Sequence, residues 1–346
     1  MQSTERVAVH VVLAGHVPRM PDALACLEAQ TCRAFRTAVA DHGATEGGRP
    51  WLEGRSDLIA LRRRGHQDVL RDQNDLLALT RSRWEGEQLE QRFVLFLAQG
   101  VWLEATALED LLRAFDADST LQIAGPGLAY AEWALDDDGE REQLIPQGTW
   151  ASAGFSLTKA RRLRLRAAGL PDTEALAPDE VFGFPLKAVM VRMSALERLK
   201  TSIGWFDEVL DPELAAADLA WRAKRLGLRA RLVPEARGWV RPLPVPGLGL
   251  WTRITAWYGN EARAGRVASA GWLLVRLKND YVLNALTHLP WAVWTWGRGI
   301  VAGILDPLTG VRSLGVCVRI PRALGLRREV GSRATVGPDE MWHWFV

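Results

Sequence analysis

Apolar and polar positions sort this chain into short alternating runs. Val7 to Leu13 (VAVHVVL) is an almost unbroken β-branched run, the pattern of a strand buried in a parallel sheet. A turn follows at Gly15-His16-Val17-Pro18, and Asp22 is placed to cap a helix carrying Leu24, Cys26 and Leu27. Phe35 to Ala40 reads as a second strand, ending in the polar stretch Asp41 to Gly48. Leu58 to Leu61 is a weaker third strand, and Asn74 to Arg81 reads as helix. Phe93 to Leu97 is a fourth strand that stops abruptly at Ala98-Gln99-Gly100. Ala105 to Phe115 predicts a helix with Leu108, Leu111, Leu112 and Phe115 on one face. Strands alternating with helices across short turns predict an α/β fold with a doubly wound, mostly parallel sheet.

The second half is less regular. Residues 131–180 read as polar and irregular, with the acidic run Asp136-Asp137-Asp138 as a solvated loop. The basic run Lys159 to Arg166 reads as a solvated helix face. Val181 to Arg192 returns to apolar character. Asp218 to Leu226 predicts a helix ended by Gly227, and Arg229 to Val233 a strand ended by Pro234. Residues 242–249 (PLPVPGLG) look like a linker, and the chain beyond is helical and rich in Trp and Arg. These breaks divide it into residues 1–130, 131–241 and 242–346.

Composition excludes more than it selects. A net charge of +2 gives no reason to expect a nucleic acid partner. Cys26, Cys32 and Cys317 form no metal or disulfide pattern, which fits reduced thiols in a cytosolic setting. The start, MQSTERVAVHVVLAG, is too short and too weakly apolar for a signal peptide.

The order of the segments resembles family 2 glycosyltransferases of the bacterial rhamnosyltransferase type, which have the GT-A fold. The resemblance runs from about Val7 to Arg328. It is carried by "ALACLEAQTCRAF", "VADHGATEGG", "FVLFLAQGVWLEATALEDLL" and "DEVFGFPLKAVMVRMSALERL" in sequence, and most specifically by "GWFDEVLDPELAAADLAWRAKRLGLRARLVPEAR". It implies a Rossmann-like GT-A domain: residues 1–130 hold a nucleotide-sugar donor, 131–241 face the acceptor, and the helical tail meets a membrane.

The resemblance also says where the chemistry belongs. Asp41 stands where the family's carboxylate accepts hydrogen bonds from the nucleobase. His16, in Ala14-Gly15-His16, replaces the family's Thr-Tyr-Asn and joins it as a donor-binding candidate, as do Arg241 and Lys187. The family's Asp-x-Asp pair binds Mg²⁺ or Mn²⁺, which bridges the diphosphate. Here those places hold Ala98 and Gly100, with Gln99 between them. The family's Glu-Asp base pair falls on Ala215 and Ala216. Its later His falls near Val240. Asp211 and Glu213 are the substitute candidates for the base, with Arg241 and Lys187 standing in for the metal as phosphate clamps. No cofactor is expected, because the metal's ligands are missing.

Two functions follow from this pattern. One is sugar transfer from a nucleotide sugar to a glycan or lipid-linked acceptor, without a metal. The other is an inactive relative that binds a glycan or nucleotide, or scaffolds a competent glycosyltransferase. Tyr281 to Leu305 contains no acidic residue, and Arg residues follow it, which reads as an interfacial anchor on the cytoplasmic face of the cell membrane. A helical subdomain packing its Trp residues inward is the competing reading. Met341 to Val346 fits a short docking segment and a frayed terminus equally well.

Overall fold

The computed structural model describes residues 5–13, 22–42, 58–62, 68–135, 142–242, 271–291, 293, 297 and 315–346. The chain divides into two units. The first comprises residues 1–155, 165–208 and 228–242, and the second comprises 156–164, 209–227 and 243–346.

The first unit is a sheet with helices on both faces. Its strands are β1 (Val7–Leu13), β2 (Phe35–Asp41), β3 (Leu58–Arg62), β4 (Phe93–Ala98), β5 (Val101–Leu103), β6 (Leu121–Leu135) and β7 (Glu142–Ser152). After the short β8 (Phe155–Leu157) and β9 (Leu163–Leu165), which pair with each other, come β10 (Ala188–Arg192) and β11 (Arg229–Val240). The order is β3-β2-β1-β4-β10-β6-β11-β5, with β7 on β6. β3, β2, β1 and β4 run parallel. β10 runs antiparallel to β4 and β6, while β6 and β11 are parallel.

The β-branched run of β1 forms this strand because both its faces are covered. Val7, Val9, Val11 and Leu13 enter a core with α1 (Asp22–Glu28) and α3 (Ala107–Ala117). Val12 packs with Leu76 of α2 (Val69–Arg83) in a second core, and His10 bonds Thr80 of α2 at 2.8 Å. Each valine fully buried in this way contributes on the order of 1.5–3 kcal/mol. α4 (Met193–Leu199) follows β10 directly.

Two expectations are corrected here. The stretch read as irregular contains β6 and β7, which pair antiparallel with register shifts. The breaks in alternation at Gly125-Pro126-Gly127 and Pro146-Gln147-Gly148 hide these strands from pattern reading. Asp136-Asp137-Asp138 lies outside the described residues. Pro234 does not end its strand either: β11 continues to Val240, and a register shift between Val233 and Arg237 takes up the residue that lacks an N–H.

The described residues of the second unit are mainly helical and include most of β8 and β9. This unit holds α5 (Pro212–Arg225), α6 (Trp272–Asn279), α7 (Val282–Thr287), α8 (Ile320–Arg333) and α9 (Pro338–Trp342). Gly227 follows α5 at φ +67°, the left-handed turn that ends a helix at least cost with glycine. The basic run is not a solvated helix face. It forms a turn and β9, and Arg161 within it is wholly buried. The carboxyl terminus is pinned rather than frayed. Val346 donates to Leu157 O at 2.9 Å and accepts from Lys159 N at 2.9 Å, and Met341 and Phe345 are buried.

Candidate donor site

In the first unit the carboxyl ends of β1, β2 and β4 lie side by side. Leu13 is in register with Asp41, and Val12 with Ala98. Ligands of open α/β sheets bind beyond this edge. Asp41 is the last residue of β2 and is buried. The next residue, His42, donates its backbone N–H to Leu13 O at 3.3 Å, and its ring makes a short contact from Nε2 to the Asp72 carboxylate of α2. Both side chains of that pair are buried. Sequence reading passed over this pair because thirty residues separate its members.

Ala98 closes β4 and donates its N–H to Lys187 O at 2.8 Å. The Gln99 carbonyl accepts from Ala23 N of α1 at 3.2 Å, so the turn is held by backbone groups. A Cβ built on Gly100 would meet nothing within 4 Å. Neither Ala98 nor Gly100 offers an oxygen ligand from its side chain. Among the described residues no three His, Cys, Asp or Glu side chains gather in a way that could hold a metal. The described side chains at this turn therefore do not fit the divalent cation that the resemblance implies.

The remaining donor candidates are spread along the same unit. Lys187 is half-buried beside β10, and its carbonyl is taken by Ala98. Arg241 is exposed and lays its guanidinium 4.7 Å from the Trp133 ring centroid. His16 lies outside the described residues. Two buried side chains that the sequence did not single out brace the unit. Gln30 donates to Glu104 O and Cys26 O and accepts from Leu108 N, which ties α1 to α3. Asn74 accepts from Trp205 N and Phe206 N through its Oδ1 and donates to Phe206 O at 3.0 Å, fixing the Trp205-Phe206-Asp207 loop.

In the second unit, the positions matching the family's base motif sit in the first two turns of α5. Ala215 and Ala216 are buried. Asp211 caps the helix, its Oδ1 accepting from Leu214 N at 2.9 Å. Glu213 is exposed one residue after Pro212, where a carboxylate also favours the helix dipole.

Asp218 on the same helix is structural. It accepts from Lys278 Nζ at 2.7 Å, Asn279 Nδ2 at 2.7 Å and Arg222 Nε at 3.0 Å. Burial pushes its carboxyl up, but the Lys278 and Arg222 charges outweigh that and hold it below the ordinary value. A second buried cluster centres on Arg161, whose five N–H donors are all used. They reach Asp280 twice, Lys159 O, Asn284 O and His288 Nδ1. The His288 ring, thus an acceptor at Nδ1, is pushed down to about 4 by burial, Arg161 and Lys159.

No protein-family profile matches this chain, and no curated protein does. Solved structures do match. GalNAc-T7 with UDP, GalNAc and Mn2+ has a TM-score of 0.50 and 12% identity over 80% of this chain. The chain spans about half, 52%, of that protein's length. The mannosyltransferase PcManGT of Pyrobaculum calidifontis, in complex with GDP-Man and Mn2+, covers 98% of this chain and 87% of its own, at TM-score 0.44 and 16% identity. Residues 1–349 of S. aureus TarS cover 94% and 91%, at TM-score 0.44 and 13% identity. The chain has a GT-A glycosyltransferase fold.

Proposed function

We propose that this chain is a nucleotide-sugar-binding protein of the family 2 glycosyltransferase type, that it works in cell-envelope glycan assembly, and that it binds its donor without a divalent cation. The observation that carries the reading is that Asp41 ends β2 and Ala98 ends β4 on either side of β1, at one edge of a GT-A sheet. A nucleobase acceptor is kept where the fold receives one, while both metal positions lack side-chain oxygens. Arg241 and Lys187 are the phosphate clamps on this reading. The acceptor on this reading is a glycan or lipid-linked glycan, and the protein sits peripherally on the cytoplasmic face of the membrane. Among the described residues no helix is long and apolar enough to cross a membrane.

A second reading has a specific observation in its favour. Asp211 is engaged as a helix cap, and the adjacent base positions are buried alanines. That supports a chain that binds nucleotide sugar or glycan but turns nothing over, serving an active glycosyltransferase as a scaffold. Calorimetric titration with UDP- and GDP-sugars, with and without Mn²⁺, tests both. Equal binding with and without the metal supports a metal-free donor site, and an assay of sugar transfer then separates enzyme from scaffold. Absence of binding to any donor by the folded protein would overturn the donor site.

A further inference from the structure

Helix α7 is built inside out. Asn284 in its middle and His288 just past its end are buried, at 2% and 1% exposure. Its aliphatic residues face solvent, with Val282 at 63%, Leu283 at 54% and Leu286 at 61%. Leu289 and Trp291 extend this exposure. Trp342 of α9 joins them, because both indoles flank the same imidazole: His288 stacks on Trp342 at 4.1 Å and meets Trp291 edge-on at 6.0 Å. A helix on a surface meant for water carries the reverse order.

A six-residue helix cannot stand by itself. Polar groups on its inner side hold this one. Arg161 donates to Asn284 O at 3.0 Å and to His288 Nδ1 at 2.8 Å, and Asn284 donates to Pro338 O at 3.0 Å. Polar contacts inward and aliphatic groups outward suit an element that faces lipid, with Trp at the boundary. The surrounding charge selects the lipid. Lys159 Nζ lies 5.5 Å from the Trp291 ring centroid. Farther along, α8 packs on α6 and carries Arg322, Arg327, Arg328 and Arg333, of which Arg333 is paired with Glu329 and Arg327 donates to Leu277 O. The Lys159 ammonium at the Trp291 edge complements anionic head groups.

We propose that the outward face of α7, with Trp291 and Trp342 at its edge, seats the second unit in the interface of an anionic bilayer. This rests on the membrane placement proposed above and names its surface; donor binding is independent of it. The test is co-sedimentation of the full chain with vesicles of equal parts phosphatidylcholine and phosphatidylglycerol, and with phosphatidylcholine alone. The expected result is binding to the anionic vesicles that falls at least tenfold in the Leu283→Ser/Leu286→Ser variant. The control Ile145→Ser, which removes an exposed aliphatic group from the first unit, should bind as the parent does. Matching far-ultraviolet circular dichroism checks the fold, and Trp291→Ala supplies a second variant if the double one unfolds. Parent and variants binding equally would overturn this face and leave the membrane placement standing. A parent that ignores both vesicles would overturn face and placement together. A concentration-dependent dimer abolished by Leu283→Ser/Leu286→Ser, without vesicle binding, would reassign the face to self-association and also overturn the proposal.

Discussion

Arg161 and Asp280 form a two-pronged ion pair in the interior of the second unit, Nε to Oδ2 at 2.9 Å and Nη2 to Oδ1 at 3.1 Å. The guanidinium is wholly buried and lies 3.6 Å from the Phe345 ring centroid. Its own conformation is left-handed, at φ 60°. Burial pushes the Asp280 carboxyl up while the guanidinium opposes it, so neither partner is comfortable alone. Removing one side leaves an uncompensated charge. Asp280→Asn and Arg161→Met are each expected to cost about 3–5 kcal/mol of stability. Arg161→Lys should rescue little, because an ammonium cannot reproduce the fork. Urea unfolding of the three variants measures this; a loss below about 1 kcal/mol in Asp280→Asn would contradict the role given to the pair.

Two buried imidazoles make the fold sensitive to acid. Burial pushes His10 down to about 3 and His288 down to about 4, both from an ordinary value of 6.5. Each ring is therefore neutral in the folded chain over a range where the unfolded chain has already bound a proton. Stability is full above about pH 6.5 and falls as the pH drops towards 4, because unfolding then takes up protons. Denaturant midpoints at pH 7.5 and pH 5 should show the fall, and His288→Asn should flatten part of it. An unchanged midpoint between the two would refute this account.

Asn74 is the hinge pin of the first unit's Trp205-Phe206-Asp207 loop. Its amide satisfies three backbone groups of that loop in the interior. Asn74→Ala leaves them without partners and is expected to cost about 2–3 kcal/mol. Hydrogen exchange should speed up selectively at the Trp205 and Phe206 amides. Uniform exchange across the unit would instead indicate a general loosening.

Asp211 separates a structural from a chemical role. As a helix cap its removal should cost about 1 kcal/mol and no more. Asp211→Asn keeps a capping oxygen and should restore that stability. Were Asp211 a base, sugar transfer would collapse in the Asn variant although its stability was normal. On the scaffold reading, no transfer exists to lose.

The parallel half of the fold was legible because its strands are buried on both faces and show as unbroken apolar runs, as in β1 and β4. The antiparallel arms β6 and β7 were not, since each mixes exposed and buried positions and carries Gly or Pro where register shifts. Asp41 and Ala98 could be placed at strand ends by counting from those runs. The His42–Asp72 pair could not, because only the close approach of β2 and α2 unites it. Arg161 shows the opposite failure. A run of basic residues reads as a solvated surface, and nothing local reveals that one member is buried with Asp280, Asn284 and His288, more than a hundred positions away. α7 is a subtler case: its apolar residues were noticed, but which way they point depends on Asn284 and His288 turning inward to meet Arg161.

The missing carboxylates offer a gain-of-function test. Gly100 is not in a left-handed conformation, and a side chain there has open space. Ala98 is half-buried at the end of its strand, where its backbone N–H is already bonded to Lys187. The turn should therefore accept Ala98→Asp with Gly100→Asp without rearrangement, at a stability cost of about 1 kcal/mol from like-charge proximity and partial burial. Two carboxylates on one turn are the donor set that hard divalent cations prefer. Calorimetry with Mn²⁺ and a nucleotide diphosphate should show metal-dependent binding in the double variant and metal-independent binding in the parent. If the folded double variant binds nucleotide with no response to Mn²⁺, then the Ala98–Gly100 turn is not where a GT-A metal would sit in this chain, and the alignment of its sheet edge with that site is wrong.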